Sequence, residues 1–112
     1  MIVCKKGIVD IISDGVHSYF VSLDGSLKRC GGQGDILAGV SGAFMNYASN
    51  LQDDVEDPRE RAVLAVVAAS IVTRGAAKVA FDSKKIAVTT LDILEALPGH
   101  IAGLYSATES KL

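Results

Sequence analysis

The eleven residues from Ala62 to Val72 are apolar except for Ser70. A helix built from them is apolar nearly all round and must be buried on most sides. The helix is expected to start at Asp57-Pro58-Arg59-Glu60, with Asp57 as N-cap, Pro58 at the first helical position and Glu60 completing a capping box. It stays apolar until Arg74 and should run to about Phe81. At about 1.5 Å of rise per residue the apolar run is too short to span a bilayer. The chain has 112 residues, a one-domain length with room for a modest core. A long buried helix is a large demand on such a chain, so something must cover it.

The first 23 residues read as strands. Ile2 to Cys4 is one apolar run; Val9, Ile11 and Ile12 lead into Ser13-Asp14-Gly15, and Tyr19 to Leu23 resumes the β-rich pattern. Asp-Gly between two such runs predicts an antiparallel hairpin whose two central residues both take φ > 0. From Asp35 a helix is predicted to near Ser49-Asn50, with Ile36, Leu37, Val40, Phe44 and Tyr47 on one face. Residues 51–57 form an acidic surface loop, lacking the glycine and terminal glutamate of a calcium loop. Thr89-Thr90-Leu91-Asp92 starts a third helix that Pro98-Gly99 stops, and the tail from His100 frays.

A formal net charge of −2 gives no electrostatic reason to expect nucleic acid or an anionic membrane as partner. Cys4 and Cys30 match no zinc spacing and read as free thiols of a reducing compartment. Lys5 and Lys6 follow the first apolar residues, the reverse of a signal peptide. A soluble protein of the cytoplasm or mitochondrion is expected.

The segment with chemistry in it is Gly31-Gly32-Gln33-Gly34-Asp35, directly before a helix. A helix N-terminus leaves about four N–H groups without partners and carries about half a positive charge. Glycines there let the backbone close on a ligand, which makes a site for phosphate oxygens. Asp35 has two compatible readings, a helix cap and a general base that takes a proton from a substrate hydroxyl during phosphoryl transfer. The loop is neither a Walker A nor a GxGxxG sequence, and a glycine-rich turn into a capped helix remains the plain alternative.

Arg29-Cys30-Gly31-Gly32-Gln33-Gly34-Asp35-Ile36-Leu37-Ala38-Gly39 resembles the signature of the ATP-dependent NAD(P)H-hydrate dehydratases, members of the ribokinase-like group with its Gly-x-Gly-Asp motif. Lys6-Gly7-Ile8-Val9-Asp10 and the residues to Gly15 are similar to the family's Lys-Gly-x-x-Asp strand and turn, and Thr89 to Asp92 to its late Thr-x-x-Asp helix start. The matches keep the family's order and span most of residues 2–97. The resemblance implies an α/β fold, the C-terminal portion of a ribokinase-like three-layer α/β/α domain, with a β-hairpin followed by packed helices. It implies repair of hydrated NADH or NADPH, with ATP as co-substrate and magnesium accompanying it.

Carried over by position, ATP would be contacted by Lys6, Gly7, Ile8, Val9 and Asp10, and by Gly25, Ser26, Leu27, Lys28, Arg29, Cys30, Gly31, Gly32, Gln33 and Gly34. Asp35 would face the hydroxyl of the NAD(P)H hydrate. The family's domain is about twice this length, still a one-domain size. Residues 1–112 are therefore expected to be a partial domain with an apolar helix face and a sheet edge left bare. An upstream segment or another copy of the chain would complete it.

Plainer roles stand beside these. Lys6 also reads as a solvated strand end, Lys28 and Arg29 as an ordinary basic pair, and Cys30 as packing. His17 reads as a surface strand residue, His100 as a tail residue, and Tyr19, Phe20, Phe44 and Tyr47 as core. Two other functions share the motif: a ribokinase-like small-molecule kinase and an inactive nucleotide-binding remnant.

Overall fold

The computed structural model describes residues 1–50 and 57–109. It is a small mixed α/β structure with a three-stranded antiparallel sheet and three helices among the described residues. The elements are β1 (Val3–Lys5), β2 (Asp10–Ser13), β3 (Ser18–Val21), α1 (Gln33–Ser49), α2 (Pro58–Lys84) and α3 (Thr90–Glu109), with a short 3-10 turn at Lys85–Ala87. The chain forms two compact units, Met1–Leu23 with Leu37–Ile71, and Asp24–Ile36 with Val72–Leu112.

In the first unit the sheet order is β1-β2-β3, with Cys4 opposite Ile12 and Ile12 opposite Tyr19. Ile12 and Val21 meet Val63 and Val66 of α2 in a buried cluster, flanked by Ile2, Cys4, Tyr19, Val67 and Ile71. Alternation does this: Asp10 and Ile12 point inward while Ile11 and Ser13 are half-buried. Phe20, expected in the core, is 69% exposed, because it falls on the opposite face from its neighbours Tyr19 and Val21.

The hairpin forms, but without the expected two-residue turn. Ser13 pairs with Ser18, so four residues connect the strands. Only Gly15 has positive φ (96°) there. The Asp14 carboxylate accepts the N–H groups of Val16 at 2.9 Å and His17 at 2.7 Å, which holds this wider loop. His17 belongs to that loop rather than to a strand and is half-buried, its Nδ1 3.2 Å from Asp14 Oδ2.

Helix α1 begins at Gln33, two residues before Asp35. Gly32 takes the cap position: its carbonyl accepts the N–H groups of Asp35 and Ile36, both at 3.1 Å. Asp35 is thus a first-turn acid, favoured there by the helix dipole, and is not the cap. None of the residues of α1 is buried. Ile36, Leu37, Val40 and Phe44 are half-buried, and Tyr47 of the expected core is 66% exposed.

Most of the expected acidic loop, residues 51–56, lies outside the described residues; Asp57 is the N-cap, its Oδ1 accepting the N–H of Arg59 at 2.9 Å. Glu60 does not complete the capping box, since its carboxylate accepts the Tyr19 hydroxyl at 3.2 Å instead. Helix α2 spans 27 residues, and no residue from Glu60 to Ala77 is exposed. Its apolar surface is only partly covered: Val63, Val66, Ala69 and Val72 are buried, Ala62, Leu64, Val67, Ala68 and Ile71 are half-buried, and Val79 is 52% exposed; α1 has no buried residue. By length and composition alone α2 with the turn after it is long and apolar enough to cross a membrane, though the apolar run from Ala62 to Val72 is not; half of the most apolar 18-residue window is buried within the chain.

In the second unit Val72, Ala76, Ala77, Ala80, Val88, Ile93 and Leu97 are buried. Helix α2 closes at Lys84, and Lys85 takes a left-handed conformation (φ 53°), the C-terminal cap geometry usually given to glycine. Helix α3 starts as expected: Thr89 N–H donates to Asp92 Oδ2 at 2.8 Å, and Asp92 N–H to the Thr89 hydroxyl at 3.4 Å, a reciprocal capping pair. It does not stop at Pro98-Gly99 but continues to Glu109. The proline forfeits a hydrogen bond to the carbonyl of Leu94, a residue 49% exposed, where water can take the donor's place. His100 sits inside this helix with its ring against Gly75 of α2, so it is a packing residue and not part of a frayed tail.

Candidate phosphate site

The glycine-rich loop and the first turn of α1 belong to the second unit, together with the segment leading into α3. The loop is folded on itself and pinned. Ser26 Oγ donates to the Lys28 carbonyl at 2.7 Å and accepts the Lys28 N–H at 3.1 Å. The Lys28 ammonium donates to the carbonyls of Ile86 at 2.9 Å and Val88 at 3.0 Å. Cys30 Sγ also points at the Val88 carbonyl, at 3.5 Å, which fits the packing role. The Thr90 hydroxyl donates to the Gly31 carbonyl.

Gly32 has a φ of 98°, a conformation that side chains rarely adopt. A Cβ there would also lie 3.2 Å from the Thr90 methyl. Both facts require glycine. The Gln33 N–H donates to the Cys30 carbonyl at 3.4 Å. The amides of Gly31, Gly32 and Gly34 make no hydrogen bond among the described residues. Three donors at one helix N-terminus, without internal partners, suit anionic oxygens.

Asp35 is exposed, and its carboxylate has no partner among the described residues. Arg29 is likewise exposed and unpaired among them, and Leu27 is 87% exposed at the loop tip. Gln33 Nε2 is buried and has no acceptor there. Gly25 lies beside the Arg74 backbone, where a Cβ would make ordinary contact at 3.7 Å. Between them, Arg29 and Asp35 give the site one free cation and one free carboxylate beside the three free amides.

The other sequence-predicted residues, Lys6 to Asp10, belong to the first unit. Lys6 is exposed and Ile8 is 92% exposed, whereas Asp10 is buried. Asp10 Oδ1 accepts the Gly7 N–H at 3.1 Å and Oδ2 the Ser70 hydroxyl at 2.7 Å. The Lys-Gly-x-x-Asp spacing therefore has a structural reason: the aspartate reaches back three residues and ties the turn to α2. Ser70 and Thr90 escaped the sequence reading. Ser70 had a signal, as the single polar residue in the apolar run.

A family model described as NAD(P)H-hydrate dehydratase matches residues 1–99. The chain is 45% identical to the ATP-dependent (S)-NAD(P)H-hydrate dehydratase of Arabidopsis thaliana over 85% of its own length and 26% of the relative's. It is 36% identical to that of Schizosaccharomyces pombe over 96% of its length and 33% of the relative's, and 33% identical to that of Danio rerio over 91% and 31%. The chain thus spans a quarter to a third of the length of these relatives. On the strength of that match over nearly the whole chain, it belongs to the NAD(P)H-hydrate dehydratase family.

Proposed function

We propose that the chain carries the nucleotide-phosphate site and the general base of an ATP-dependent NAD(P)H-hydrate dehydratase. The observation behind this reading is the set of three free glycine amides at the start of α1, beside an exposed carboxylate with no partner among the described residues. The amides of Gly31, Gly32 and Gly34 take oxygens of the terminal phosphate of ATP. Asp35 accepts the proton of the hydrate's hydroxyl as its oxygen attacks the γ-phosphorus. The new O–P bond forms as the bridge to ADP breaks, and the amides hold the charge that develops. Phosphate then leaves with the C–O electron pair, the adjacent carbon gives up a proton, and the ring double bond returns.

Lys6 and the turn to Val9 contribute to nucleotide binding in this reading, with Asp10 shaping that turn. Residues 1–112 are a partial domain of ribokinase-like three-layer type, and the part of the relatives that the chain does not match supplies the remaining sheet and the rest of the hydrate site. Among the described residues no group of three or more His, Cys, Asp or Glu side chains could hold a metal ion. In this reading magnesium comes with ATP, held by phosphate oxygens and water.

The test uses the chain completed with the part of a matched relative that it lacks, supplied with ATP and hydrated NADH, following ATP binding and the return of NADH absorbance with free phosphate. Asp35→Asn is expected to keep ATP binding and lose turnover. Turnover equal to wild type in that variant removes Asp35 from the mechanism. A stable phosphorylated product would make the protein a kinase, and ATP binding without turnover a remnant.

A further inference from the structure

We propose that the segment from Ile86 to Thr90 is the platform that holds the phosphate loop in working shape, with Lys28 and Thr90 as positioning residues for the phosphoryl step. This rests on the loop reading above. The hydrogen-bonded ties to the platform come from Lys28, Cys30 and the carbonyl of Gly31, at the start of the run of free amides. Lys28 spends two of its three ammonium donors on the Ile86 and Val88 carbonyls. Val88 is completely buried, so its carbonyl is a fixed anchor, and Cys30 Sγ shares it.

Thr90 acts on the donors themselves. Its hydroxyl fixes the carbonyl of Gly31. The peptide unit is planar and trans, so the Gly32 N–H must point the opposite way from that carbonyl. The hydroxyl therefore aims one of the three phosphate donors without touching phosphate. The Thr90 methyl lies beside Gly32 on the same approach. The late Thr-Thr-Leu-Asp match thereby gains a physical role: Thr89 and Asp92 cap α3, and Thr90 sets the loop.

The test combines ATP affinity by titration calorimetry with amide hydrogen exchange of the nucleotide-free full chain. Thr90→Val keeps the shape and removes the donor. It is expected to weaken ATP about tenfold and to speed exchange of the hydrogen-bonded amides of residues 28–36, and Thr90→Ser should restore both. Lys28→Met should speed the same exchange in the absence of nucleotide. A lysine that instead held phosphate directly would leave that exchange unchanged and lose only ATP affinity. Wild-type ATP affinity in Thr90→Val, or unchanged exchange in Lys28→Met, overturns the proposal. A wild-type chain that binds no ATP overturns the loop reading itself, and the exchange measurement then still decides whether the platform orders the loop.

Discussion

Ser70→Ala is the sharpest probe of the first unit. The hydroxyl is fully buried in α2 and donates at 2.7 Å to a carboxylate on a residue only 5% exposed. Hydrogen bonds to charged groups contribute about 1.5–3 kcal/mol. Alanine fills nearly the same volume, so the cavity term is small, and its better helix propensity returns at most about 0.7 kcal/mol. The net loss should be about 1–2 kcal/mol, a five- to thirtyfold shift toward the unfolded state at about 1.4 kcal/mol per factor of ten. Urea denaturation of wild type, Ser70→Ala, Asp10→Asn and the double variant forms a double-mutant cycle. A coupling of about 1 kcal/mol or more with unchanged m-values is expected. Additive effects, or a Ser70→Ala loss under about 0.5 kcal/mol, would refute the claim that the strand turn is held from α2.

Gly75→Ala gains about 1 kcal/mol of helix propensity but drives a methyl into the His100 ring, an overpacking cost of about 1–3 kcal/mol; thermal melts should show a loss that reverses when His100→Ala is added. Gly32→Ala forces a side chain into the left-handed region against Thr90 and should cost about 1–2 kcal/mol together with most ATP binding, measured by melting and calorimetry. Lys85→Gly relieves a left-handed lysine and should raise stability by about 0.5–1 kcal/mol in the same melts. Acid should weaken the fold. The His17 and Val16 N–H groups hold the Asp14 carboxyl well below its usual range, and the Thr89 N–H lowers that of Asp92. A lowered folded pKa stabilises above the ordinary carboxylate range, and that contribution disappears as pH falls through it toward the folded values. Melting temperature should fall on the acid side of about pH 4, and less steeply in Asp14→Ala.

Local chemistry was legible in the sequence wherever neighbours along the chain decide the outcome. Asp57-Pro58 and the Thr89–Asp92 pair start helices as their spacing predicts, and the glycines lie where the backbone donors stay free. Expectation and structure part where distant residues compete, as where Tyr19 draws Glu60 away from its own helix end, and where one local preference beats another, as where the Asp14 side chain holds a four-residue loop in place of the tight Asp-Gly turn. Gly32, not Asp35, caps α1, because two glycines and a left-handed φ outweigh aspartate's usual preference. Pro98 reads as a stop only if its lost bond is costly, and on an exposed turn of α3 it is not. Thr90's part in the loop could not be read at all, since its partner lies 59 residues away.

The Asp10–Ser70 bond has a consequence for anyone hoping to transplant the Lys-Gly-x-x-Asp motif. The two residues stand 60 positions apart, so the motif is not portable. A synthetic hairpin carrying residues 1–23 alone would leave Asp10 without its buried anchor, and its carboxylate would turn to water. Grafts and minimal peptides must bring a stretch of α2 with them.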